Sequence, residues 1–203
     1  MPHVTEFIYF HVKPSVKPED SSNDEGAALL QVFRATTQQS GHLGSAWGRT
    51  REDVNVIVWA IDWSDAHSGI QQTNSPLTPF LHEKTQITTL FTTLQPTDSN
   101  DSLATETLLS NSITELAPLP FPTSLSPQDR SSLSADLVAF RKALAEEVEE
   151  KVRAKSFLLG QVERPGEFKH GKNESGQAFV QLLAVGWESY EQHQDARGTD
   201  ATG

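Results

Sequence analysis

The hydrophobic and polar positions of this chain repeat one order of elements twice. Residues 57–64 (IVWAIDWS) form an apolar run that ends in a tryptophan and a polar residue, and residues 181–188 (QLLAVGWE) form a second run of the same kind. Upstream, residues 4–7 (VTEF) have a counterpart in residues 113–116 (ITEL). Because self-similarity in a fixed order indicates internal repeats, the pattern predicts two copies of one small α/β unit.

The first copy has the periodicity of a β-α-β-β-α-β unit, the split βαβ arrangement of ferredoxin-like folds. Apolar residues on both alternating faces of residues 4–12 predict a strand that is covered on both sides. A 3.6-residue apolar stripe in residues 21–39 predicts a helix. The full set of predicted elements is strands at 4–12, 45–50, 54–63 and 87–94, and helices at 21–39, 65–72 and about 80–84.

The second copy follows the same order but is incomplete. Its predicted strands are 113–121, 157–162 and 178–187. A helix is predicted within 125–153, with Ser132 or Ser134 as its cap, and a second helix at 188–196. Three prolines at alternate positions (Pro118, Pro120 and Pro122) predict that the first of these strands lies at a sheet edge or is irregular. No strand pattern follows Ala196, so the last strand is missing. The predicted organisation is a first unit at 1–96, a polar linker at 97–112, a second unit at 113–196 and a disordered tail at 197–203.

Composition narrows the classes of function. The net charge of −11 argues against nucleic acid and against an anionic membrane surface, since both are bound by clustered Lys and Arg. The chain has no cysteine, which excludes disulfides, thiolate metal sites and cysteine nucleophiles. No secretory signal and no apolar run long enough to span a bilayer is present. We therefore expect a soluble, cytoplasmic protein.

Two motifs carry a resemblance to a known superfamily. The first strand ends in His11-Val12-Lys13-Pro14, and the third ends in a tryptophan before a short polar segment in both copies. This pattern resembles the dimeric α/β-barrel superfamily, in particular antibiotic biosynthesis monooxygenase-like domains and stress-responsive A/B-barrel domains. The resemblance implies an α+β fold in which tandem ferredoxin-like (βαββαβ) repeats form an intramolecular, pseudo-dimeric α/β barrel.

The superfamily includes cofactor-independent oxygenases, polyketide cyclases, haem-degrading enzymes and domains without known activity, so fold alone does not define function. The haem-degrading pattern is not met residue by residue, because the first strand has no asparagine. The resemblance therefore implies no cofactor, and no motif predicts a metal site.

Three histidines are the candidate catalytic residues. His11 ends the first strand, His67 follows the third strand, and His82 lies in the short helical segment predicted at about 80–84. Imidazole is suited to general base catalysis near neutral pH. The alternative is that all three are ordinary surface histidines.

The candidate ligand-binding residues are aromatic. Trp59 is replaced by Leu183 in the second copy, and such an asymmetric aromatic residue is a better pocket candidate than a repeated one. Phe7 and Tyr9 share a strand face with His11 and are the other two candidates. Packing in the core is the alternative explanation for Trp59.

Two functions are compatible with these features. The first is a small-molecule-binding protein that acts as a cofactor-independent oxygenase or cyclase on an aromatic or polyketide-like ligand. The alternative is a non-catalytic, stress-associated or ligand-binding scaffold of the same fold. In both cases the expected partner is a small apolar or aromatic molecule, and the expected state is a monomeric pseudo-dimer or a homodimer.

Overall fold

A computed structural model describes residues 3–65, 75–83, 85–96, 103–163, 168–171 and 176–198. The chain divides into two compact units, Met1–Thr93 and Leu94–Gly203, and each is described by itself. His67, the helix predicted at 65–72 and most of the hairpin tip at 167–176 lie outside the described residues.

Unit 1 has a four-stranded antiparallel sheet in the order β2-β3-β1-β4. Its elements are β1 (Val4–His11), α1 (Asp24–Thr36), β2 (His42–Arg49), β3 (Val56–Trp63) and β4 (Thr88–Pro96). The α1 helix begins where the Asn23 side chain accepts a hydrogen bond from the Gly26 N–H at 2.7 Å, as an N-cap residue does. The short helix predicted at about 80–84 is instead a 3₁₀ turn at Ser75–Phe80.

The core of unit 1 lies between α1 and one face of the sheet. Side chains alternate along a strand, so Ile8 and Phe10 of β1 point to the same face, where they pack with Leu29 and Phe33 of α1. The other face of β1 is also covered, since Thr5 and Phe7 are buried. This confirms the prediction that both faces of the first strand are covered.

Unit 2 has three described strands in the order β6-β7-β5. Its elements are α2 (Ala104–Leu109), β5 (Ile113–Pro122), α3 (Pro127–Lys142), β6 (Ser156–Val162), β7 (Ala178–Trp187) and α4 (Tyr190–Gly198). β5 is the outer strand beside β7, and the missing N–H groups of its three alternating prolines fall on one side of the strand. α2 lies within the segment expected to be a polar linker, where Ala104 and Thr105 are buried.

The helix predicted within 125–153 begins and ends earlier than expected, and its cap is Ser126 instead of Ser132 or Ser134. The α3 helix starts with a capping box, in which Ser126 and Asp129 bond each other's backbone N–H groups, and ends at Lys142. A π-helical turn (Ala143–Glu147) and a 3₁₀ turn (Glu150–Val152) follow. Four glutamates lie within 146–150, and like charges three or four positions apart destabilise a helix.

The pairing register confirms the repeat. Val4 lies opposite Trp63 in unit 1, and Ile113 lies opposite Trp187 in unit 2. The register stays the same along both strand pairs. The pair Ile8–Trp59 of unit 1 corresponds to the pair Ala117–Leu183 of unit 2. In the same way, the pair His11–Val56 corresponds to the pair Pro120–Val180. The fold is therefore α+β with tandem units. None of the described helices is long and apolar enough to cross a membrane.

Candidate functional site

The structure brings two of the three candidate histidines together. The rings of His11 and His82 stack with their centroids 5.1 Å apart and their planes 25° from parallel. The chain returns to the end of β1 after the 3₁₀ turn, where Val12 forms a β-bridge with Leu81 and the His82 N–H donates to the His11 carbonyl at 2.8 Å. Backbone hydrogen bonds therefore fix this histidine pair.

Asp53 joins the pair from the turn between β2 and β3. Its Oδ2 lies 3.4 Å from Nε2 of His11, while its Oδ1 accepts from the Asn55 N–H at 2.8 Å. The Thr50 hydroxyl also donates to the Asp53 carbonyl at 2.8 Å. The turn thus holds the carboxylate in place, and we name these residues the His11–Asp53–His82 cluster.

The exposure of the cluster determines what it can do. The His11 side chain is 29% exposed, yet its Nε2 is buried and out of hydrogen-bond alignment with its surroundings in the described residues. The exposed part of the ring is therefore away from Nε2. The Asp53 carboxylate lies beside Nε2 and would stabilise a positive charge on the ring after it accepts a proton. His82 is exposed.

Sequence reasoning missed Asp53, which it treated as part of a turn. A signal was present: Asp in a tight strand connection commonly bonds backbone N–H groups two residues ahead. The sequence does not show that Oδ2 of Asp53 lies near His11, because this contact depends on where β1 ends relative to the turn.

Phe7 and Tyr9 lie on the His11 face of β1, as predicted. Phe7 is fully buried. Burial raises the pKa of Tyr9 to about 12, so its hydroxyl stays protonated at neutral pH and can serve as a neutral hydrogen-bond donor. Tyr9 and His11 are two residues apart on one strand and therefore neighbours on this face.

Trp59 lies on the opposite face of the sheet. It is fully buried in the unit 1 core, and its ring centroid is 4.3 Å from that of Phe33 on α1. The sheet therefore separates Trp59 from Phe7, Tyr9 and His11, so these four residues do not line one pocket. Its large ring fills the core, as the packing alternative proposed.

A second polar group lies on the Trp59 face, at the other end of the strands. Glu6 is 1% exposed, and its Oε2 accepts a hydrogen bond from Nε1 of Trp63 at 2.9 Å. The His42 ring meets Trp63 edge-on at 5.9 Å. Burial lowers the pKa of His42, against the opposing effect of Asp62. An acid within an apolar strand was the sequence signal for Glu6.

A cavity of about 500 Å³ lies along α1. Among the described residues its walls are Ala28, Gln31, Val32, Ala35, Thr36, Gln38, Gln39 and Pro76, none of which is charged or was predicted as a site residue. Within the described part of the chain, no cluster of three or more His, Asp or Glu side chains is arranged to hold a metal ion.

Comparison with known proteins identifies the fold. No protein-family model and no curated protein sequence matches the chain. Three solved structures match nearly all of it. An anthrone oxidase-like protein is 14% identical with a TM-score of 0.54, and the match covers 97% of this chain and 78% of that one.

The other two are candidate monooxygenases. The protein from Lactobacillus acidophilus NCFM is 8% identical, with a TM-score of 0.53 and coverage of 98% of this chain and 83% of that one. The protein from Fusobacterium nucleatum is 11% identical, with a TM-score of 0.52 and coverage of 98% and 82%. The chain thus shares the α+β fold of these three proteins.

Proposed function

We propose that the protein is a cofactor-independent oxygenase for a small aromatic carbon acid of the anthrone or polyketide type. The observation that carries this proposal is the His11–Asp53–His82 cluster, in which a carboxylate lies 3.4 Å from Nε2 of a partly exposed imidazole. A positioned imidazole is a group suited to general base catalysis, and a neighbouring carboxylate stabilises the imidazolium that forms.

The reaction is balanced by dioxygen alone. His11 removes a proton from an activated CH₂ group, which leaves an electron-rich carbanion delocalised onto the neighbouring ring oxygen. Addition of O₂ to this carbon and return of the proton give a hydroperoxide. Loss of water from the hydroperoxide leaves a carbonyl, so CH₂ and O₂ become C=O and H₂O. In this proposal the Tyr9 hydroxyl, a neighbour of His11 on the same strand face, donates to the ligand oxygen that gains charge.

The fold likeness supports this class of substrate. One solved structure that covers nearly the whole chain is named anthrone oxidase-like, and two others are named as monooxygenases. The proposal extends to a small apolar or aromatic ligand, a cytoplasmic location and a monomeric or homodimeric state. Units at 1–96 and 113–196 that close into one barrel remain part of the same prediction.

The test is turnover of anthrones under air, followed by quinone absorbance and by oxygen uptake. The His11→Gln variant should lower kcat/KM by about 100-fold or more, because general base catalysis contributes at least about this factor. His3→Gln is the matched control, since His3 is exposed and precedes β1. Equal rates for His11→Gln and the native protein would remove His11 as the base.

A non-catalytic ligand-binding scaffold is the second candidate. It is favoured by the burial of Trp59 in the core and by the exposure of His82, which leave few groups to shape an active site. Saturable binding of an anthrone in anaerobic buffer, without oxygen uptake in air, would support the scaffold over the oxygenase.

A further inference from the structure

The two units use one repeated pair of residues differently. Glu6 and Trp63 in unit 1 correspond by register to Glu115 and Trp187 in unit 2, because Val4 pairs with Trp63 and Ile113 pairs with Trp187. In unit 1 the carboxylate accepts the indole N–H at 2.9 Å. In unit 2 the indole N–H of Trp187 is buried and has no hydrogen-bond acceptor among the described residues.

The carboxylate of unit 2 faces α4 instead. Oε2 of Glu115 lies 3.2 Å from Nε2 of His193, and Oε1 lies 3.6 Å from the guanidinium of Arg197. The His193 contact is out of hydrogen-bond alignment, and the Arg197 side chain is 66% exposed. The Arg197 contact is therefore of the exposed kind that contributes little, and the buried His193 contact lacks a hydrogen bond. Glu115 occupies the register position from which Glu6 accepts the indole N–H in unit 1, whereas in unit 2 its carboxylate faces α4.

We propose that α4 is a displaceable latch on unit 2, held by Glu115 and released when Glu115 turns to the indole N–H of Trp187. The closed state has Glu115 on His193 and Arg197. The open state has the Glu–Trp hydrogen bond that unit 1 already displays. Because a buried indole N–H without an acceptor is unfavourable, the open state gains a hydrogen bond that partly offsets the loss of α4 contacts.

The surroundings of His193 support a two-state element. The Trp187 ring centroid lies 5.4 Å from that of His193, and the Tyr190 ring lies 6.1 Å away. Ala196 of α4 packs against the core cluster that contains Trp187. Release of α4 would therefore uncover part of the Trp187 surface, so the state of one carboxylate controls access to that side of unit 2.

The indole N–H signals in ¹⁵N-labelled protein test the latch. The chain has four tryptophans, and loss of one signal in Trp187→Phe assigns the relevant one. In the His193→Ala/Arg197→Ala double variant, the Trp187 signal should move downfield, towards the position of the hydrogen-bonded Trp63 signal. Adding Glu115→Ala to the double variant should abolish that shift. Unchanged signals from the three tryptophans of unit 1 report that unit 1 remains folded.

A second measurement follows α4 itself. Glu115→Gln removes the charge that holds α4, so hydrogen exchange of the backbone amides of α4 should be accelerated severalfold. Asp195→Asn makes the same charge change at an exposed position of α4 and should leave the exchange unchanged. A Trp187 signal that stays in place in the double variant, a shift that persists without Glu115, or unaltered exchange in Glu115→Gln would each overturn the proposal.

Discussion

The two units share one register but differ in how the equivalent positions are filled. In unit 1, Trp59 fills the core against α1, and Trp63 gives its N–H to a buried carboxylate. In unit 2, Leu183 takes the place of Trp59, and the N–H of Trp187 has no acceptor among the described residues. A repeated backbone therefore preserves pairing, whereas side-chain volume and polar partners diverge independently of it.

The largest expected difference between the units is in core packing. Trp59→Ala should lower the free energy of unfolding by about 3–5 kcal/mol, because removing a buried Trp loses transfer energy and leaves a cavity. Leu183→Ala, at the equivalent position, removes a smaller side chain and should cost less, within about 2–5 kcal/mol. Urea unfolding with one probe in each unit checks this.

Leu109→Ala is the control for that series, since Leu109 is exposed and its loss should change the unfolding free energy by less than about 0.5 kcal/mol. A Trp59→Ala cost no larger than that of Leu183→Ala would contradict the assignment of Trp59 to a well-packed core.

The repeated tryptophans permit a sharper comparison. Trp63→Phe removes the donor to the Glu6 carboxylate, and a hydrogen bond to a charged group contributes about 1.5–3 kcal/mol. Trp187→Phe removes an N–H that makes no such bond. Both variants lose a similar ring area, so the difference between their unfolding free energies should be about 1.5–3 kcal/mol. Equal costs would mean that the Glu6–Trp63 hydrogen bond adds nothing to stability.

Much of the fold could be predicted because it depends on local pattern. The period-2 runs and the alternating prolines of β5 each act within a few residues, and the repeat fixed which positions correspond. The α3 helix was overextended because its apolar stripe continued through the glutamate run, where charge repulsion limits the regular helix.

The candidate site was less predictable because it depends on contacts distant in sequence. His11 and His82 were both singled out, yet their stacking depends on the bridge between Val12 and Leu81. Asp53 required the placement of a turn against the end of β1. Trp59 was grouped with Phe7 and Tyr9, although the pairing of Ile8 with Trp59 places it on the other face.

The smallest expected effect is a change in the pH dependence of stability, and it involves unit 1 alone. Burial lowers the pKa of His42 below its usual 6.5, so the folded protein binds this proton less readily than the unfolded chain. Stability is then greater above the unfolded pKa, and it falls as the pH drops through 6.5 towards the lowered folded value. No histidine lies in β6, the corresponding strand of unit 2.

His42→Gln should therefore flatten the decline of stability between about pH 7 and pH 5, by less than about 1 kcal/mol because His42 is only partly buried. Unfolding by urea at several pH values measures this, with His170→Gln as a control outside the β2–β3 pair. A decline that is as steep in His42→Gln as in the native protein would assign the pH dependence to other groups and leave the edge contact between His42 and Trp63 as packing alone.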